Sequence, residues 1–397
     1  MADHADKQPF LVFGAPRIEQ PEIDEVVAVL QSGWLGTGPR VMQFETDFSA
    51  YKGVAREQVA AVNSCTAALH LSLLAAGVGP GDEVITTPMT FCATVNSIIH
   101  AGATPVLADV EPDTMNIDPR EIARHIGPRT RAIVPVHFAG RPCAMDAIMA
   151  VARDHGLAVI EDCAHAIEAQ YKGRATGTIG DFGCFSFYVT KNIVTGEGGM
   201  ALCARAEDAA RVRTLALHGI SKDAWKRFDA SGYQHYDVVE PGFKYNMMDL
   251  PAAIGMHQLR RIEPYWQQRR AIWARYQEAF ADLPVQLPEE PGADTRHAYH
   301  LYTLRIDAQR AGIDRDGFLA AMSARQIGVG VHYRSLTNYA FYRERFGWRN
   351  EDYPNAWRIG EETVSIPFTV KLDEHDIERV ITAVRSIVSE ARRTAGA

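Results

Sequence analysis

Between residues 59 and 204 the chain alternates short apolar runs with amphipathic stretches. The runs at 59–62, 83–87, 105–110, 132–137, 157–161, 182–188 and 199–203 have the length of strands. Several are apolar throughout instead of at every second position, which predicts strands covered on both faces. Between them, 66–76, 93–100, 119–125 and 145–155 place apolar residues at helical spacing. Asp118 before Pro119 reads as an N-cap followed by the first helical residue. Gly77, Gly102 and Gly156 sit where those helices should close. Strand and helix in alternation predict the α/β class, with a mostly parallel mixed sheet flanked by helices.

After Asn246 the texture changes. A long helical stretch is predicted over 250–282, with a kink near Pro264. The segment 288–296 reads as a surface connection, 297–306 and 329–333 as strands, and 315–325 and 374–391 as helices. We therefore expect a large domain over 1–259 and a smaller C-terminal α+β domain over 260–397, with the N-terminal segment free to pack on the latter. No repeat of solenoid period is visible.

A chain of 397 residues is long enough for two substantial cores. A net charge of -8 argues against a broad basic surface, so nucleic acid is not an expected partner. The six cysteines are scattered, without metal-ligand spacing, and read as free thiols, with no metal expected. The first ten residues are polar and unlike a signal peptide, and no apolar run reaches the roughly 18 residues of a membrane span. These features make the cytoplasm the expected compartment and a membrane an unexpected partner.

Four stretches carry candidate chemistry. Phe185-Ser186-Phe187-Tyr188-Val189-Thr190-Lys191-Asn192 puts a lysine after an apolar strand and before the glycines of 196–199. A lysine forms a Schiff base only when its amine is deprotonated, which burial promotes. Taken alone, Lys191 could equally be a solvated loop lysine. Asp162 ends another strand, where open α/β sheets bind ligands. It can pair with a protonated pyridine nitrogen, as pyridoxal 5′-phosphate requires, or simply cap the next helix. His165, three residues on, can line the same pocket or orient a ring oxygen. At a strand-to-helix turn, Ser64, Cys65 and Thr66 offer backbone N–H groups to a phosphate, with Ser186 as a further hydroxyl donor; caps are the plain alternative. Phe91 follows a strand and can stack on a flat ring or belong to the core.

Together these stretches resemble the DegT/DnrJ-type nucleotide-sugar aminotransferases, a branch of fold type I of the pyridoxal-phosphate-dependent transferases. The resemblance begins at residues 32–39, runs through the four stretches above, and continues at Gly242-Phe243-Lys244-Tyr245-Asn246, Val331-His332-Tyr333 and 364–367. It implies that Lys191 carries the cofactor as a Schiff base, that Asp162 holds the pyridine nitrogen and that Phe91 stacks on the ring. It also implies that Ser186 and the Cys65–Thr66 turn hold the phosphate, and that Asn246 reaches a neighbouring subunit's phosphate in a homodimer with shared active sites. Expected substrates are an amino donor, L-glutamate, and a nucleotide-linked 4-keto sugar, with pyridoxamine 5′-phosphate formed between the two half-reactions. Tyr188, His332, Tyr333 and Arg334 are candidates for the sugar side. Within the family the chain resembles the branch that forms UDP-4-amino-4-deoxy-arabinose, through His218-Gly219-Ile220, Asp223-Ala224-Trp225, residues 242–253 and residues 342–346. It departs from many relatives in carrying Thr337 where they have a second histidine. Two other readings stay open: a sugar dehydratase of the same fold, whose familiar form replaces the lysine with histidine, and a non-catalytic regulator that binds the cofactor.

Overall fold

The strongest apolar runs do become strands. The computed structural model describes residues 9–220 and 235–395, so the Asp223-Ala224-Trp225 stretch lies outside the described residues. The strands of its first half are β1 (Val59–Val62), β2 (Glu83–Thr86), β3 (Thr104–Leu107), β4 (Thr130–Ile133), β5 (Ala158–Asp162), β6 (Gln170–Tyr171), β7 (Arg174–Ala175), β8 (Phe182–Ser186) and β9 (Gly199–Cys203). Seven of them form one sheet among the described residues, in the order β1-β9-β8-β5-β4-β2-β3. Only β9 runs antiparallel to its neighbours; the other pairs are parallel. This is the mixed, mostly parallel α/β sheet that the pattern predicts.

Alternate residues of each strand feed opposite cores. Ile160, Cys184 and Ala201 face a cluster that includes Leu69, Leu71 and Leu73 of helix Cys65–Ala75. That helix is apolar nearly all round, as a fully buried helix should be. On the other face, Val159 and Ile133 pack with Met145 and Ile148 of helix Met145–His155. Further along that face, Phe185 and Met200 meet Phe44 and Phe48 of helix Pro39–Lys52. Gly77, Gly102 and Gly156 follow their helices with φ of 81°, 83° and 63°, the left-handed closure that glycine allows.

A separate apolar cluster is built from residues 272–388, with Tyr276, Tyr302, Phe318, Val364 and Val380 fully buried. Here β10 (Thr295–Arg296) pairs with β6, and β11 (Tyr302–Arg305) pairs antiparallel with β12 (Thr363–Ile366). The N-terminal segment joins this region through a bridge between Leu11 and Ile327.

Two predicted elements differ, and some helices are additional. The 250–282 stretch is two helices, Asp249–Arg260 and Ile262–Phe280, broken at Arg261 and not at Pro264. Proline lacks an N–H to donate, so it fits within the first turn of a new helix, where that N–H has no acceptor anyway. Residues 329–333 form no strand; Gly330 alone bridges to Ser365, on the edge of β12 away from β11. Helices Gln20–Ser32, Pro39–Lys52, Ala340–Phe346 and Pro354–Glu362 were not anticipated by the apolar pattern.

Candidate active site

The carboxyl ends of the parallel strands converge on one side of the sheet. β1 leads into the turn carrying Ser64, β5 ends at Asp162, and β8 ends at Ser186 before the loop to Lys191. This is where open α/β sheets bind ligands.

Glu161 and Asp162 are consecutive, so the pleat sends them to opposite faces. Glu161 points back into the protein. Its carboxylate accepts from the backbone N–H groups of Gly177 (2.9 Å), Ile179 (2.8 Å) and Gly180 (2.8 Å), and it pairs with His137 Nε2 at 3.0 Å. His137 Nδ1 accepts from Cys143 N–H, so both ring nitrogens are engaged. Asp162 is buried too, but among the described residues its carboxylate accepts only from Thr94 Oγ1 (2.8 Å) and Ala164 N–H (3.1 Å). Burial pushes its carboxyl above the ordinary value, and these donors and the Lys191 amine only partly offset that.

Lys191 sits in a loop held by its own N–H to Tyr188 O at 2.9 Å. Burial of its amine lowers the pKa to about 8, with Cys65 and Asp162 working the other way. At neutral pH a substantial minority of such an amine is uncharged and nucleophilic. A cavity opens beside it, lined in part by Phe13, Arg17, Tyr265, Arg269, His300 and His332.

His165 completes this group. Its Nδ1 accepts from Ala139 N–H at 3.3 Å. Burial, then the Lys191 charge, keeps the ring neutral. The proton must therefore sit on Nε2, which donates to Tyr333 Oη at 3.1 Å. The Tyr333 hydroxyl hydrogen is left free for another acceptor. His332 Nδ1 meets Ser365 Oγ at 2.8 Å, and burial lowers its pKa to about 4.

The phosphate candidates also gather. Ser64 caps helix Cys65–Ala75 by accepting from Ala67 N–H at 3.1 Å. Ser186 lies opposite Gly199 in the β8–β9 ladder, and a Cβ on Gly199 would fall 2.4 Å from the Ser64 carbonyl carbon. Glycine at 199 thus lets the Ser64–Thr66 turn and Ser186 approach one another. Cys65 is buried, its Sγ 3.4 Å from Cys184 O, and Thr66 is half-buried. Phe91 is 59% exposed, with its ring centroid 6.2 Å from that of Tyr333, so one face is open for stacking. Asn246 is bridged to Val62, at the end of β1, and donates to Thr37 Oγ1 at 2.7 Å. Tyr188 and Arg334 are exposed, the latter with its guanidinium 5.8 Å over the Tyr339 ring. Thr337 is buried and bonded to Ser335 Oγ at 2.7 Å, facing the protein interior more than a pocket.

A half-buried lysine with a desolvated amine, a carboxylate with unmet electrostatic demand and a hydroxyl-rich turn fit group transfer through a bound aldehyde cofactor, and the sequence as a whole agrees. Residues 16–385 match the model of the DegT/DnrJ/EryC1/StrS aminotransferase family. The chain belongs to that family. Among its relatives, it is 48% identical over 383 residues to the spore coat polysaccharide biosynthesis protein SpsC of Bacillus subtilis, covering 96% of this chain and 98% of SpsC. Among solved structures, the putative sugar aminotransferase Spr1654 of Streptococcus pneumoniae in its PMP form superposes with a TM-score of 0.90 at 31% identity, covering 98% and 100% of the two chains. DesI, solved in the presence of its TDP-sugar product, gives a TM-score of 0.86 at 32% identity over 99% and 96%. The aminotransferase thus has the type I fold that its motifs imply.

Two groups in this aminotransferase site escaped the reading of the sequence. Thr94 bonds Asp162 from 68 residues away, and His300 bonds Asn192 from 108 residues away. A threonine in a helix and a histidine before a strand carry no local mark of such pairings.

Proposed function

We propose that this aminotransferase uses pyridoxal 5′-phosphate to move an amino group from L-glutamate to a nucleotide-linked 4-keto sugar, a UDP-4-keto-pentose or a 4-keto-6-deoxy-hexose. The observation that carries the reading is the meeting of a desolvated Lys191 amine with the under-bonded Asp162 carboxylate, in a chain 31% identical to an aminotransferase solved in both PLP and PMP forms.

The residues fit this cofactor. Asp162, raised by burial despite two hydrogen bonds, calls for a cation such as a protonated ring nitrogen. Ser64, Thr66 and Ser186 would hold the phosphate at the start of helix Cys65–Ala75. Phe91 and His165 would flank the ring, and Lys191 would hold the aldehyde carbon. When bound, the cofactor supplies an aldehyde that carries the amine and a ring that draws off negative charge.

The chain's own groups do the rest. The Lys191 amine, once free, would take the proton from the donor's α-carbon at Nζ and give that same proton to the cofactor side, and it would carry a proton the opposite way for the keto sugar. Asp162 would keep a ring nitrogen protonated. Tyr188, His332, Tyr333 and Arg334 bind the sugar nucleotide, with the free Tyr333 hydroxyl hydrogen available to a substrate oxygen.

The working unit in this reading is a homodimer in which Asn246 serves the neighbouring site. In support, Ile23, Val27 and Leu30 form an exposed apolar stripe at helical spacing, and exposed Trp34, Met42 and Met248 extend it. Trp34 Nε1 bonds Thr37 O, and Thr37 Oγ1 bonds Asn246, so this apolar surface runs up to that residue.

The test is to load the protein with pyridoxamine phosphate and offer keto-sugar nucleotides one by one, following return of the lysine-bound cofactor's absorbance. A UDP-4-keto-pentose or 4-keto-6-deoxy-hexose nucleotide should restore it; response to simple 2-oxo acids alone would sink the sugar assignment.

A further inference from the structure

Asn192, the residue after Lys191, is held on three sides. Its Nδ2 donates to Glu168 Oε2 at 2.8 Å and to Ala298 O at 3.0 Å. A backbone carbonyl can only accept, so the amide orientation is settled and Oδ1 must face His300 Nδ1, 2.9 Å away. His300 therefore donates from Nδ1. Burial, then the Lys191 charge, keeps its ring neutral, which leaves Nε2 without a proton. His300 also packs on His165 with ring centroids 4.3 Å apart, so two neutral imidazoles lie together in opposite tautomers. Behind Asn192, Glu168 forms a buried ion pair with Arg269 of helix Ile262–Phe280. The lysine loop is thereby tied both to that helix and to the segment entering β11.

We propose that His300 is a positioning residue for Lys191: its Nδ1–H fixes the Asn192 side chain, which in turn fixes the loop that keeps the lysine amine out of water. The proposal rests on the reading of Lys191 as the reactive amine. It needs no direct contact between His300 and a substrate. The titratable groups around the amine are Cys65 and Asp162 at the sheet's carboxyl end, His165, His300 and His332 beside them, and Arg17, Tyr265 and Arg269 in the lining of the adjoining cavity. Desolvation is the largest influence on the amine, so a loosened loop that admits water should raise its titration midpoint.

Asparagine and glutamine separate the two ring nitrogens. The side-chain NH2 of asparagine reaches nearly where Nδ1 stands, whereas that of glutamine reaches nearly where Nε2 stands. His300→Asn, His300→Gln and Asn192→Ala would be made in the full chain and checked for fold by circular dichroism and melting. The first readout is the pH dependence of Lys191 acylation by acetic anhydride in cofactor-free protein, resolved by mass spectrometry. The second is the pH titration of absorbance after loading with pyridoxal phosphate. His300→Asn should keep the wild-type midpoint, while His300→Gln and Asn192→Ala should raise it by about one pH unit, a roughly tenfold loss of uncharged amine at neutral pH. In an Asn192→Ala background, His300→Gln should add no further shift. Rescue by glutamine and not asparagine would assign the role to Nε2 and overturn the proposal. Equal behaviour of the two His300 variants, or wild-type midpoints in all three proteins, would overturn it as well. Should His300→Gln fail to fold, Asn192→Ala against His300→Asn decides the same question. The acylation readout needs no cofactor, so failure of the protein to take up pyridoxal phosphate would strike the functional reading and leave this one standing.

Discussion

Two neighbouring carboxylates on β5 live in opposite worlds. Glu161 is fully buried and meets three backbone N–H groups and a histidine. Burial pushes its carboxyl up, but the His137 hydrogen bond and the Gly180 and Gly177 N–H groups outweigh that and hold it below the usual value. Asp162 has half as many donors, and burial wins. The first arrangement spends all of its hydrogen-bonding capacity on the fold. The second leaves capacity over, beside the Lys191 amine. Satisfied polar groups lock a structure, whereas an under-satisfied one beside a reactive amine marks where chemistry is done.

The largest effect should come from the pocket side of this contrast. Lys191→Ala should remove both the absorbance of lysine-bound cofactor and measurable turnover while leaving the melting temperature within a few degrees; turnover near wild type would end the assignment. Next, Asp162→Asn should retain cofactor but slow each half-reaction by about three powers of ten, about 4 kcal/mol of barrier, as followed by stopped-flow absorbance. On the fold side, Glu161→Gln should cost about 3 kcal/mol in urea unfolding, because an amide NH2 would meet N–H donors where an oxygen now accepts. Its activity per folded molecule should stay within about threefold of wild type; a collapse in rate without a loss of stability would erase the contrast.

The smallest effect is a difference in sign with pH. Glu161, held low when folded, contributes stability that is present above its ordinary value and lost as pH falls through the folded one. Asp162, held high, works in reverse: its ionisation weakens the cofactor-free fold as pH rises through the raised value. Urea midpoints of the cofactor-free protein, taken between about pH 3 and 7, should therefore lose acid sensitivity in Glu161→Gln and gain it in Asp162→Asn. Parallel profiles for the two variants would show that the two sites do not differ as described.

The sheet was legible because strands buried on both faces must be apolar throughout, as 59–62 and 199–203 are. Lys191 and Asp162 were legible because each follows such a run. Helix Pro39–Lys52 was not, since it buries Glu45 and Lys52 along with Phe44 and Phe48, and its apolar stripe is broken by those charges. Lys52 is instead satisfied by the carbonyls of Ile167 and Thr176 at 2.8 and 2.9 Å, partners over a hundred residues away. Separation in sequence likewise hides the pairings of Thr94, 68 residues from its partner, and His300, 108 residues from its own. Residues 329–333 differ for a related reason: alternating Val329, Val331 and Tyr333 suit a strand, but only Gly330 among them meets a partner on the edge of β12. Spacing reports what a segment can form, whereas a neighbour from elsewhere in the chain decides what it does.

Gly199 shows how narrow such a decision can be. The Ser64 turn and the end of β8 approach each other across a gap no wider than one missing methyl group. Of the four side chains proposed for the sugar, Tyr188 and Arg334 are exposed and could be exchanged without moving the backbone. No such freedom exists at position 199. An alanine there would push the Ser64–Cys65 backbone away from the β8–β9 ladder, and in the function proposed above it would disturb the phosphate cradle whatever sugar is aminated.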